Sequence, residues 1–67
     1  MLPKKIRKSE IELVTYLTNG FMLKEIARET NRSPRTLEVR IANMKKKFGA
    51  KTMGHLISIF FRNKLID

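Results

Sequence analysis

The chain has 67 residues (7.9 kDa), with fifteen Lys or Arg against six Asp or Glu, a formal net charge of +9 and a sequence pI of about 10.5. That length holds one small domain, which buries only ~60% of its unfolded surface and depends on tight helix packing, a partner subunit or a bound ligand. No Cys, 42% hydrophobic residues and no apolar run near ~18 residues exclude a disulfide scaffold, a disordered basic tail and a membrane span.

Residues 1–8 (MLPKKIRK) read as a short basic arm, with four Lys or Arg and with Pro3 opposing a regular helix start. No apolar stretch follows the arm, so it is not a signal peptide, and a cytosolic location is expected. The arm is either a solvated, mobile end or a phosphate-contacting segment. A first helix is predicted from Ser9, where Ser9-Glu10-Ile11-Glu12 reads as a capping box with Glu12 reaching back to the cap. Leu13, Val14 and Leu17 form its inward face, and Asn19-Gly20 ends it. A short second helix covers Leu23 to Glu29, with Leu23, Ile26 and Ala27 inward and Lys24, Arg28 and Glu29 outward. Thr30, Asn31 and Arg32 break the chain. Ser33 then caps a third helix, and Pro34 sits at its first position, where the missing amide costs nothing.

The third helix runs to about Phe48, with Leu37, Ile41, Met44 and Phe48 as a core stripe at spacings close to a 3.6-residue period. Gly49 stops it. Thr52 caps a fourth helix reaching about Lys64. No segment alternates as a strand does, and there is no repeat or linker. The expected architecture is an all-α four-helix bundle domain over residues 9–67, containing a helix-turn-helix.

The catalytic inventory is thin. His55 is the one His, Asp67 the one Asp, and the five Glu (Glu10, Glu12, Glu25, Glu29, Glu38) lie in predicted helices. There is no Gly-rich phosphate loop, no paired His and no Ser–His–Asp set, so no enzymatic activity and no cofactor are expected. His55 has no second ligand at hand, so no metal is expected either.

The third helix carries the functional signal. At ~100° per residue, Arg35, Val39, Ala42 and Lys46 fall opposite the core stripe, with Glu38 and Asn43 flanking them. Thr36, Arg40, Asn43 and Lys47 make a neighbouring stripe along one edge. The face is either ordinary solvated surface with two small residues on it, or one built for close approach to a polyanion. Small apolar residues at the centre with cations at the margins suit a major groove, which admits one helix and offers phosphates at its rims. The short helix, the break and the capped helix that carries this face, together with the charge of +9, favour nucleic-acid binding. The Lys45-Lys46-Lys47 run by itself marks only solvated surface.

These residues resemble the LuxR-type (GerE-type) helix-turn-helix domain of bacterial transcription regulators. The family pattern is roughly L-T-x-R-E-x-E-V-L-x-L-L-A-x-G-x-S-N-K-E-I-A, then S-x-x-T-V-K/E-x-H-x-x-x-I-x-x-K-L-G-V. Here Ile6 to Gly20 reads I-R-K-S-E-I-E-L-V-T-Y-L-T-N-G, Lys24 to Ala27 reads K-E-I-A, Ser33 to Val39 reads S-P-R-T-L-E-V, and Lys47 to Ala50 reads K-F-G-A. The four segments stay in register across residues 6–66. The chain departs from the pattern at Arg7 and Ser9 (Thr and Arg), Met22 and Leu23 (Ser and Asn), Thr30 and Arg32 (Leu and Ile), Arg40 (His) and Met53 (Arg).

The resemblance implies a DNA-binding transcription regulator that acts on double-stranded DNA. Carried over by position, base reading falls on Glu38, Val39 and Ala42, with Arg35 grouped beside them on the same face. Glu38 either accepts from cytosine N4 or pairs with Arg35 or Lys45. Backbone contacts fall on Ser33, Thr36, Arg40, Lys47 and Lys24, and the helical wheel adds Lys46 and Asn43. Family members usually carry a receiver or ligand-binding domain; the chain begins at Met1 without one and so resembles the stand-alone members, acting at the bacterial nucleoid.

The fourth helix is apolar over an arc of ~200°, wider than the ~100° a surface helix needs. Met53, Leu56, Ile57 and Phe60 face inward, and Ile59 and Phe61 fall on opposite shoulders. In the resembling family this helix joins two DNA-binding domains, so a homodimer is expected, with His55, Ile59, Phe61 and Arg62 at the interface. The other reading tucks Phe61 beneath the first helix and leaves only Ile59 exposed. Two rival functions stand beside the regulator. One is an antagonist that pairs through residues 52–64 with a full-length regulator of the same family. The other is a domain like region four of a primary sigma factor, working with RNA polymerase, which the K-E-I-A and K-F-G-A segments fit less well.

Overall fold

The computed structural model describes residues 2–67 as four helices: α1 (Lys8–Thr18), α2 (Leu23–Glu29), α3 (Pro34–Phe48) and α4 (Met53–Arg62). No strand occurs among the described residues. Helix α2 packs on α3, α3 on α4, and α1 closes against α4. The predicted stripe of α3 is the spine of the core, since Leu37, Ile41, Met44 and Phe48 are all buried. Phe48 meets Phe60 of α4 with ring centroids 4.9 Å apart. Val14, Ile26, Leu56 and Phe60 are fully enclosed around this spine.

The start of α1 differs from the expectation. The helix begins at Lys8 with Arg7 as its cap, and it is Glu10, not Glu12, that reaches back. The Arg7 N–H donates to Glu10 Oε1 at 2.8 Å. Arg7 has no acceptor on its side chain to answer this bond, so the box has only its glutamate half. The Glu10 carboxylate is also anchored across the fold. Lys47 Nζ of α3 donates to both oxygens of Glu10, at 2.9 and 3.0 Å, and Glu10 as a whole is 7% exposed. Glu12 is exposed and has no such anchor. The arm also differs from a free end, because Leu2 and Ile6 are half-buried against the core. The start of α2 repeats the device, with the Met22 N–H donating to Glu25 Oε1 at 2.7 Å in place of a polar cap side chain. Ser33 and Thr52 cap α3 and α4 as predicted, accepting from the backbone N–H of Thr36 and His55 at 3.1 and 3.0 Å.

All four helices end on the same turn. A residue with positive φ follows each last turn: Gly20 (85°), Asn31 (56°), Gly49 (71°) and Lys64 (57°). The next residue's N–H closes the six-residue loop, from Phe21 to Tyr16, Arg32 to Ala27, Ala50 to Lys45 and Leu65 to Phe60. This pairing answers the carbonyls a helix end leaves open. The fourth turn stops α4 at Arg62, short of the predicted Lys64, and it directs Ile66 back into the core.

Candidate nucleic-acid interface

The turn between α2 and α3 fixes how α3 is presented. Ser33 Oγ and Thr36 Oγ1 lie 2.8 Å apart, and Ser33 Oγ also accepts the Thr36 amide. One hydroxyl proton lies between the two oxygens, so the pair keeps one O–H free to donate outward. Burial of the core stripe turns Arg35, Thr36, Glu38, Val39, Ala42, Asn43 and Lys46 to the surface. Val39 is 45% exposed at the centre of this face, and Ala42 is exposed one turn further on. The structure therefore brings all four expected base-reading residues onto one outward surface.

Glu38 pairs with Arg35 at 3.8 Å, between side chains 56% and 83% exposed. An ion pair in that much water is worth under ~1 kcal/mol and yields readily to another partner. Arg40 is half-buried at the edge of the face. Lys24 is exposed on α2, and its ammonium makes no side-chain hydrogen bond or ion pair among the described residues. Lys47 is placed differently from the other expected phosphate ligands, because its ammonium is already bonded to Glu10. A groove of about 470 Å³ separates the start of α1 from the edge of α3, lined by Arg7, Ser9, Glu10, Thr36, Val39, Arg40, Asn43, Met44 and Lys47.

The four residues expected at a dimer interface are not all brought together. His55, Ile59 and Arg62 line one groove of about 300 Å³ with Leu2, Phe48, Gly49 and Asn63. His55 Nδ1 accepts the Lys51 N–H at 3.1 Å, fixing the ring at the edge of that groove. Phe61 is on the other shoulder of α4 and is 45% exposed. It is thus the more exposed of the two shoulder residues, and Ile59 is only half-exposed. Sequence reasoning missed a second apolar surface. Ile11, Tyr16 and Phe21 line a shallow groove of about 500 Å³ on α1, with Phe21 edge-on to Tyr16 at 5.0 Å. Its signal was the Phe21-Met22 pair, apolar residues in a turn.

Among the described residues no cluster of three His, Cys, Asp or Glu could hold a metal ion. No described helix is long and apolar enough to cross a membrane.

A short helix, a tight turn and a longer capped helix with a basic, small-centred outer face define a helix-turn-helix DNA-binding domain. The model of the family described as bacterial regulatory proteins, luxR family (GerE), matches residues 7–60, and the chain belongs to that family. No curated protein and no solved structure matches the chain. The family is one of DNA-binding regulators rather than enzymes.

Proposed function

We propose that the protein is a sequence-specific transcription regulator that places α3 in the major groove of DNA and acts as a homodimer on an inverted repeat, at the bacterial nucleoid. The observation that carries this reading is the outer face of α3. Val39 and Ala42 stand exposed at its centre between basic margins, directly opposite a fully buried stripe. Small side chains let the helix backbone approach base edges, and Val39 and Ala42 suit contact with a thymine methyl. Arg35 is long enough to reach a guanine, and Glu38 a cytosine amino group, once their mutual pair opens. Thr36 or Ser33, Arg40, Asn43, Lys46 and Lys24 then meet phosphates on either side. Lys47 contributes less, because Glu10 already answers its charge. Two-fold symmetry through α4 would set two recognition helices on successive major-groove faces.

Selection on random duplex DNA tests the reading. The expected result is a symmetric consensus of two half-sites about one helical turn apart. Recovery of no consensus, with capture of a full-length family member through α4 and loss of that member's DNA binding, would support the antagonist instead.

A further inference from the structure

The cations around α3 differ in what already answers them. Three line the groove between the start of α1 and the edge of α3: Arg7, Arg40 and Lys47. One carboxylate, Glu10, lies among them and is bonded through both oxygens to Lys47. The pair is internally neutral. Among the described residues neither Arg7 nor Arg40 has a carboxylate within ion-pair distance. The groove therefore presents two unanswered guanidiniums, with Ser9, Thr36 and Asn43 between them.

The groove also sits where a strand must pass if α3 docks as proposed. A helix of ~10–12 Å diameter fills a major groove ~12 Å wide, so a row of phosphates runs along each edge of the helix. One edge of α3 is the stripe Thr36, Arg40, Asn43, and that stripe is one wall of the groove. Arg7 stands on the other wall. Its backbone N–H is held by Glu10, which Lys47 of α3 fixes, so the spacing of the two walls is set by a chain of hydrogen bonds within the fold. Exposed Lys4, Lys5 and Lys8 continue the positive surface along the arm.

Resting on the DNA-binding reading above, we propose that this groove seats one strand of the DNA sugar–phosphate backbone, gripped between Arg7 and Arg40. A planar guanidinium meets a phosphate through two parallel hydrogen bonds, and two of them facing one strand fix its register against α3. Arg7 thereby becomes a phosphate-binding residue contributed by the cap of α1, outside the helix-turn-helix. It positions the protein and reads no base.

The test is the salt dependence of binding to a mixed-sequence duplex, for the wild type, Arg7→Ala, Arg7→Lys and Arg40→Ala. Each lost phosphate contact lowers the log–log slope by ~0.9 per bound subunit. Arg7→Ala is expected to lower it by that amount, as Arg40→Ala does, with equal loss of affinity on all sequences, and Arg7→Lys to restore it. Arg7→Ala keeps the backbone N–H that Glu10 accepts, so helicity should be unchanged; if it falls, Arg7→Gln is read in its place. A slope unchanged by losing Arg7, but lowered by losing Arg40, overturns the groove and leaves the DNA-binding reading standing. A wild-type protein that binds no duplex at low salt overturns both.

Discussion

Replacing Lys47 by Met should destabilise the domain far more than its surface position suggests. Glu10 is 7% exposed and accepts three hydrogen bonds, two from Lys47 Nζ and one from the Arg7 amide. Without the ammonium, the carboxylate keeps only the amide. Stranding a fully buried charge costs ~3–5 kcal/mol. The Lys47 side chain is 30% exposed, so water reaches the vacated place and the expected cost falls to about 2–3 kcal/mol, within the range for hydrogen bonds to charged groups. A domain of this length has a total stability of only ~3–10 kcal/mol. Glu10→Gln should cost less, about 1 kcal/mol, because the amide oxygen still accepts from Arg7 and Lys47 turns to solvent. The double variant removes charge and partner together and should fall short of the summed single losses by at least ~1 kcal/mol. Urea unfolding followed by far-ultraviolet circular dichroism measures all three, provided the m-value holds. Losses that add within ~0.5 kcal/mol, or a costlier Glu10→Gln than Lys47→Met, would refute the account of Glu10 as a carboxylate that depends on Lys47.

Ala42→Glu should abolish specific binding while leaving helicity intact, because the position is exposed and opposite the core; Arg40→Ala should weaken binding to all duplexes by a similar factor. Gel shifts on consensus and scrambled DNA separate the two, and a changed base preference in the Arg40 variant would contradict the docking. If each subunit neutralises ~4 phosphates, the dimer should show a log–log salt slope near ~−7, and a slope shallower than about −2 would remove the phosphate assignment. Lys64→Gly should raise stability by about 1 kcal/mol, read in the same urea assay, because Lys64 holds φ at 57°, where a Cβ is strained. Ile59→Glu should weaken binding to a two-half-site duplex and spare a single half-site, whereas Phe61→Glu, on the opposite shoulder, should affect neither.

The backbone rules carried most of the fold. Pro34 after Ser33, Thr52, and the glycines at 20 and 49 are local signals, and the core stripe of α3 repeats at the helical period, so these elements were legible from neighbours in the chain. Much of what sequence reasoning missed depends on residues far apart. Ser9 and Glu12 satisfy the capping pattern as well as any pair. Glu10 reaches back instead, from a helix that starts at Lys8, and its carboxylate is bonded by Lys47, 37 residues away, a contact no local pattern shows. The turn at Lys64 was invisible for a related reason, since a lysine gives no sign of adopting positive φ until Ile66 has a core to enter. At the candidate site, periodicity showed which residues of α3 face outward. It could not show that Lys47 has a protein partner, nor that Arg7 stands across a groove from Arg40.

The same charges that suit DNA act against the proposed dimer in its absence. A two-fold interface uses one patch twice. On α4 the continuous patch is His55, Ile59 and Arg62 with Leu2, whereas Phe61 lies ~160° from Ile59 around the helix and cannot join it. The proposed interface therefore brings in two Arg62 side chains, and each subunit carries a net charge of +9. Two like charges at 4 Å repel by ~1 kcal/mol even in bulk water, and by more near a protein surface. The apolar share of the patch is small, with Ile59 half-exposed and Leu2 beside it. Such an interface falls at the low end for specific association and gains little against that repulsion. Phosphates change the balance, because each subunit docked on DNA has its basic face neutralised and its α4 held beside the neighbour's. On the proposed reading dimerisation is a property of the occupied site, and subunits free in solution are expected to remain apart at concentrations where the complex on DNA is complete.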